Sequence, residues 1–319
     1  LGASAQVYND ATLARVREQD RASRDAASGK LQTLTATEHA FRADVYSSNR
    51  YFKEAREHWQ KILDNHSTET ALMPKTLFGI ARSFMWEREY EKAVQYFDLL
   101  TKDYLNTKDG REGLAFKGAS YVRLSKPNEA AKTYEQYAIM FPTGERIESS
   151  YLNIIDALRE AKRYDEANSW VEKARQRFAG MPTETNALHA RLRMEIHRGE
   201  WNKAVATADT LRGLGNFRSS MTSLDEVNYL KALALEKAGR KNEAAAVYAA
   251  ISDSFSSYYG GLATEKLKTL NLSGGRVSKT SSVAASSLVR EYPAPYRAEL
   301  LRYAKPRGID PRFMLAIMK

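Results

Sequence analysis

The stretch Phe52-Lys53-Glu54-Ala55-Arg56-Glu57-His58-Trp59 comes back as Tyr90-Glu91-Lys92-Ala93-Val94-Gln95-Tyr96-Phe97. Shorter forms follow: Asn128-Glu129-Ala130 with Tyr134, Tyr164-Asp165-Glu166-Ala167 with Val171, Trp201-Asn202-Lys203-Ala204 with Ala208, and Asn242-Glu243-Ala244 with Tyr248. The alanines step by 38, 37, 37, 37 and 40 residues. A near-constant period of this size marks a helical repeat array. The small residue lets two helices approach closely, and the large side chain one turn later fills the space beside it. Each repeat exposes an apolar face until its neighbour stacks on it, so the repeats stand together.

An alanine followed four residues later by an aromatic, with Tyr or Trp three residues before the alanine, resembles the second helix of a tetratricopeptide repeat. Leu77-Phe78-Gly79-Ile80-Ala81, the run Leu114 to Tyr121, and Tyr229 to Ala234 fit the first helices. The period exceeds the usual tetratricopeptide length, and Val171 and Ala208 replace the aromatic. The fold class this implies is all-α, a tetratricopeptide-like α-solenoid. Pro142 and Pro182 stand at expected repeat ends, where a helix must stop.

In 319 residues there are only 17 Gly and 8 Pro, which suits long helices with short connections. There is no run of about 18 apolar residues, so no membrane span is predicted. With no cysteine there are no disulfides and no thiolate metal sites. The formal charge of +10 fits either an anionic partner or an ordinary solvated helical surface. No dense basic run carries interleaved aromatics, so nucleic acid is not an expected partner. Leu1 is not a start methionine, and a signal peptide is expected to have been removed.

Along the chain, residues 1–34 read as a polar N-terminal helix and cap. Residues 35–272 form the array of about six helix pairs, opened by the capping-box pattern Thr35 to Glu38. Ser223 and Glu226 repeat that pattern, and Gly239 ends the helix they open. Residues 273–287 are rich in Ser and Gly and read as a linker. Residues 288–319 begin a further domain. There Asp310 is placed as an N-cap, Pro311 as the first helical residue, and Ile309 and Met314 as a hydrophobic staple.

Two segments resemble the soluble lytic transglycosylase family, which cleaves the glycan strands of peptidoglycan. The first is Tyr258-Tyr259-Gly260-Gly261-Leu262-Ala263, similar to the end of that family's helical scaffold. The second joins Tyr292-Pro293-Ala294-Pro295-Tyr296 to Gly308, Pro311, Ala316, Ile317 and Met318. It looks like the opening of the family's lysozyme-like catalytic domain. Pro306 departs from the helical residue usual there, so that domain's first helix is expected to end early. The resemblance implies a single catalytic Glu just after Lys319. It would protonate the glycosidic oxygen and then take the proton of the sugar's own 6-hydroxyl, closing a 1,6-anhydro ring without water. This chain stops before that Glu and is expected to be inactive by itself. The resemblance further implies a periplasmic location, glycan strands as partner, other cell-wall proteins as partners of the repeat groove, and no cofactor.

No other catalytic pattern emerges. His58 and His66 stand eight apart, as do His189 and His197, whereas two metal ligands on one helix need three or four. These four read as surface or packing residues. There is no phosphate-cradling glycine loop and no nucleophile elbow. Two further readings compete with the transglycosylase scaffold: a tetratricopeptide adaptor that docks a protein or peptide without enzymatic activity, and an array that binds an acidic polymer through its charge.

Overall fold

The structure, a computed structural model, describes residues 8–253, 257–270 and 297–310. A first helix, α1 (Asp10–Ser23), precedes six helix pairs. These are α2 (Ala36–Ser48) with α3 (Phe52–Asn65), α4 (Met73–Trp86) with α5 (Tyr90–Asp103), and α6 (Lys108–Arg123) with α7 (Pro127–Met140). Then come α8 (Ile147–Glu160) with α9 (Tyr164–Arg177), α10 (Pro182–His197) with α11 (Trp201–Leu214), and α12 (Leu224–Lys237) with α13 (Lys241–Ala250). α14 (Tyr258–Thr269) and α15 (Arg297–Ala304) follow, the latter leading into a 3-10 turn at Lys305–Arg307. Among the described residues there is no strand, only one isolated bridge between Arg24 and Leu31. The fold is all-α, a tetratricopeptide-like α-solenoid. It divides into two compact units, Leu1–Trp170 and Val171–Lys319, with the boundary inside α9.

Every pair turns the corner in the same way. The second residue beyond each first helix takes a left-handed backbone: Arg50 (63°), Arg88 (64°), Ser125 (55°), Lys162 (61°), Gly199 (70°) and Gly239 (82°) in φ. Its N–H bonds back three residues, and the next N–H bonds back five. Arg50 N–H reaches Ser47 O at 3.0 Å and Tyr51 N–H reaches Tyr46 O at 2.9 Å. The last pair repeats this with Gly239 to Glu236 at 3.1 Å and Arg240 to Leu235 at 2.9 Å. This is the Schellman motif, which satisfies carbonyls that the helix end would leave orphaned. In all six turns the left-handed residue lies five positions before the ladder alanine.

The ladder is buried throughout. Ala55, Ala93, Ala130, Ala167, Ala204 and Ala244 expose no surface. In the first unit Trp59, Phe97 and Tyr134 fill the space one turn on. Glycine admits two of these rings: a Cβ on Gly79 would come within 2.4 Å of the Trp59 indole, and one on Gly118 within 2.8 Å of the Tyr134 ring. In the second unit Val171, Ala208 and Tyr248 hold the equivalent places, all fully buried. The smaller Ala208 is joined in the interior of α11 by Val205 and Leu211.

Several expectations shift. The N-terminal helix stops at Ser23 and a turn follows, with Asp25 accepting from Ser28. Pro182 does not close a helix but opens α10 at its first position, where its missing N–H costs nothing. Only half of the capping box forms: Thr35 accepts from Glu38 N–H at 3.2 Å, while the Glu38 carboxylate goes to Arg42. Ser223 does cap α12, and α15 does end ahead of Pro306. The linker 273–287, the staple partner Met314 and Pro311 lie outside the described residues.

Candidate docking site

A cleft of about 470 Å³ opens in the first unit between α2, the start of α3, and α4. Lys75, Phe78, Gly79, Arg82 and Trp86 line it from α4, at spacings that keep them on one helical stripe. Asp44 of α2 is taken by Lys75, whose Nζ lies 2.5 Å from its carboxylate. Trp86 is 59 % exposed, and the Arg50 guanidinium lies 5.7 Å from its ring centre. Arg50 is the left-handed residue of the first corner, and it lines the cleft beside Trp86.

Arg82 is the unusual member. Its guanidinium sits 5.6 Å from the Phe78 ring and 5.2 Å from the Phe116 ring. It makes no hydrogen bond and no ion pair among the described residues. Burial lowers its pKa; Glu112 opposes that and Arg146 adds to it. The Glu112 carboxylate is held in a two-pronged pair by Arg146, at 2.7 and 3.0 Å. Arg146 also lies over Phe116, at 5.8 Å. Two guanidinium groups thus flank one ring, and the carboxylate near them serves only one.

Behind the other side of α2 runs a buried polar chain. Leu34 N–H donates to His39 Nε2 at 3.0 Å, so the hydrogen of neutral His39 must be on Nδ1. That Nδ1 faces His58 Nδ1 at 2.9 Å, so His58 accepts there and carries its hydrogen on Nε2. His58 Nε2 then donates to Asp20 Oδ2 at 3.0 Å. Asp20 also accepts from Tyr46 Oη at 2.7 Å and from Arg42. His66 Nε2 donates to Leu34 O at 2.8 Å, so two histidines clamp one backbone residue. Burial and the neighbouring His58 hold His39 down at about 4. Burial pushes the Asp20 carboxyl up, but the bonds from His58, Tyr46 and Arg42 outweigh it and bring it to about 2. A second tie from α1's end to α3 is the two-pronged pair of Arg24 with Glu57, at 2.6 and 2.7 Å. Testing histidine spacing along one helix could not reveal this chain, because its members come from three helices.

In the second unit the segment Tyr258 to Ala263 forms the first half of α14. Ser257 caps that helix, accepting from Gly260 N–H at 3.0 Å and donating to Asp225 at 3.2 Å. A Cβ on Gly260 would meet Ser252 O at 2.1 Å, so no other residue fits this approach. Tyr259 packs on Tyr229, 5.6 Å between ring centres, and burial with the nearby Glu226 pushes it up to about 12. Ala263 is buried, Leu262 half-buried and Tyr258 71 % exposed. His189, on α10, bonds Glu226 at 3.2 Å. Gly308 has a left-handed backbone, with φ 66°, just after the 3-10 turn. Tyr292, Pro293, Pro295, Tyr296, Pro311, Ala316, Ile317 and Met318 lie outside the described residues. Among the described residues no group of three or more His, Cys, Asp or Glu is arranged to hold a metal ion. No helix among them is long and apolar enough to cross a membrane.

Family comparisons agree with this architecture. A tetratricopeptide repeat family matches residues 75–106, which is the α4–α5 pair. The repeats are tetratricopeptide-like. A second family, the ARM repeat of tetratricopeptide repeat protein 21, matches residues 114–216, from α6 into the residues after α11. No curated protein sequence matches the chain. Among solved structures the chain is similar to PilW, described as a widely conserved type IV pilus biogenesis factor. Identity is 13 %, over 71 % of this chain and 97 % of that one, with a TM-score of 0.45.

Proposed function

We propose that this chain is a tetratricopeptide-like scaffold that docks a protein partner, and that the α2–α4 cleft of the first unit is a docking point. The observation that carries this is an exposed Trp86 sharing the cleft with two arginines, Arg50 and Arg82, that have no carboxylate partner among the described residues. Aromatic and arginine side chains are the usual anchors of a binding hot spot. The test selects peptides from a display library on the folded protein and measures the winners in solution. Their binding is expected to fall at least tenfold with Trp86→Ala and to survive Ile139→Ala, which removes an apolar side chain that is 75 % exposed on α7. Binders indifferent to Trp86 would overturn the assignment of the cleft.

A second reading is that the scaffold belongs to a peptidoglycan lytic transglycosylase of the periplasm. Its support is the resemblance at Tyr258 to Ala263, joined to the observation that this segment forms a helix directly after the last pair. In that reading the acid lies beyond Lys319. A protein extended through the residues that follow is expected to release 1,6-anhydro products from purified sacculi, identified by mass spectrometry. Such products from residues 1–319 alone, or none from the extended folded protein, would sink it.

A further inference from the structure

We propose that the α2–α4 cleft selects an acidic segment of a partner protein, whose side-chain carboxylate is taken by the Arg82 guanidinium. This rests on the docking reading above and adds the chemistry of the occupant. A guanidinium carries five N–H donors in a rigid fork that matches a carboxylate. At Arg82 none of the five has an acceptor among the described residues, although the group is half-buried and flanked by Phe78 and Phe116. The aromatic faces ease its burial but leave the in-plane donors open. The carboxylate that acts on it, Glu112, is already spent on Arg146. Of the other charges lining the cleft, Lys75 and Asp44 satisfy each other, while Arg50 also lacks a carboxylate among the described residues. The cleft therefore holds two unmatched positive charges. Exposed Trp86 beside Arg50 adds an apolar contact, which a free small anion could not use but a peptide side chain could.

The probe is a short fluorescein-labelled peptide of Glu, Phe and Gly in repeating order, blocked at both ends, with its Gln counterpart as comparison. Binding is followed by anisotropy. The wild-type protein is expected to prefer the Glu peptide about tenfold, the scale of one charge-assisted hydrogen bond pair. Arg82→Gln and Arg82→Met are expected to abolish that preference with an unchanged urea midpoint. Arg123→Gln, which removes the same charge from the exposed end of α6, is expected to keep it. Equal binding of the two peptides to wild type would overturn the proposal without needing any variant. So would an equal loss in Arg123→Gln, which would mean a general positive field. Displacement of the Glu peptide by inorganic phosphate, but not by acetate at the same ionic strength, would make this a phosphate site and also overturn it. If both peptides bind alike and lose affinity in Trp86→Ala, the docking reading stands and the acidic preference falls. If neither binds, both fall.

Discussion

Gly79 of α4 lies against the Trp59 indole of α3 so closely that a methyl group at position 79 would come within 2.4 Å of the ring. Trp59 is 4 % exposed and belongs to the core of the first unit, so the ring has little room to retreat. Gly79→Ala gains about 1 kcal/mol of helix propensity and meets an overpacking cost of about 1–3 kcal/mol. The balance is a net loss of up to about 2 kcal/mol in urea unfolding. In a Trp59→Leu background the same change is expected to become neutral or stabilising, and a loss that persists there would place the strain elsewhere.

Lys162 is exposed and left-handed, at φ 61°. A side chain in that conformation costs roughly 1–2 kcal/mol, from which the greater unfolded-state freedom of glycine must be subtracted. Lys162→Gly is expected to stabilise the protein by about 0.5–1 kcal/mol. A lowered urea midpoint would contradict the strain assigned to this turn.

The histidine chain predicts a pH dependence with a definite sign. His39 has an ordinary value of 6.5 and sits at about 4 in the fold. The unfolded chain therefore binds the proton first. Stability is full above about pH 6.5 and declines as pH falls towards 4, by roughly 2–3 kcal/mol. Asp20, held at about 2 against an ordinary 3.8, loses its contribution only lower, between those two values. Ion-paired carboxylates such as Glu57 likewise begin to matter near 4.5 and below. Between pH 6.5 and 4.5 His39 lowers stability as pH falls, while Glu195, which burial raises above its ordinary 4.5, works in the opposite sense. His39→Gln is expected to remove the histidine's share of the fall in denaturation midpoint there, and a variant whose midpoint changes with pH just as the wild type's does would refute the neutral chain.

Gly260 permits α14 to approach Ser252, where a Cβ would stand 2.1 Å from a backbone oxygen. A carbonyl cannot swing aside as a side-chain end can. Gly260→Ala is expected to displace α14 and expose Tyr259, and so to increase protease cleavage near residue 257 while the α4–α5 region stays resistant. An unchanged digestion pattern would show that α14 tolerates the shift.

The repeat was legible because burial demands a small residue at one register, and six alanines mark it in the sequence. The turns were not legible. Only Gly199 and Gly239 announce a left-handed residue, while Arg50, Arg88, Ser125 and Lys162 are held there by the two backbone bonds of the motif. The histidine chain stayed hidden for a topological reason: Asp20, His39 and His58 are brought together from α1, α2 and α3. Arg82 is one of 49 basic residues, and nothing in its own neighbourhood of sequence sets it apart. What distinguishes it is that Glu112 turns to Arg146 instead, a competition between side chains on three different elements. Phe78, Arg82 and Trp86 do share a stripe at four-residue spacing, the one sequence signal that could have pointed to the cleft.

The six identical corners bear on how such a chain reaches its fold. Each closes a hairpin using bonds that span three and five residues, before any partner hairpin is needed. Loop-closure entropy is small at that range, so each hairpin can start forming independently during synthesis, in the order in which it emerges. Because the corner and the anchoring alanine keep a fixed offset of five residues, insertion or loss of a whole hairpin leaves its neighbours' registers intact. A change of one or two residues inside a corner would instead rotate the anchor off the contact face. Length in such a chain can therefore vary in steps of one hairpin and resists variation in smaller steps.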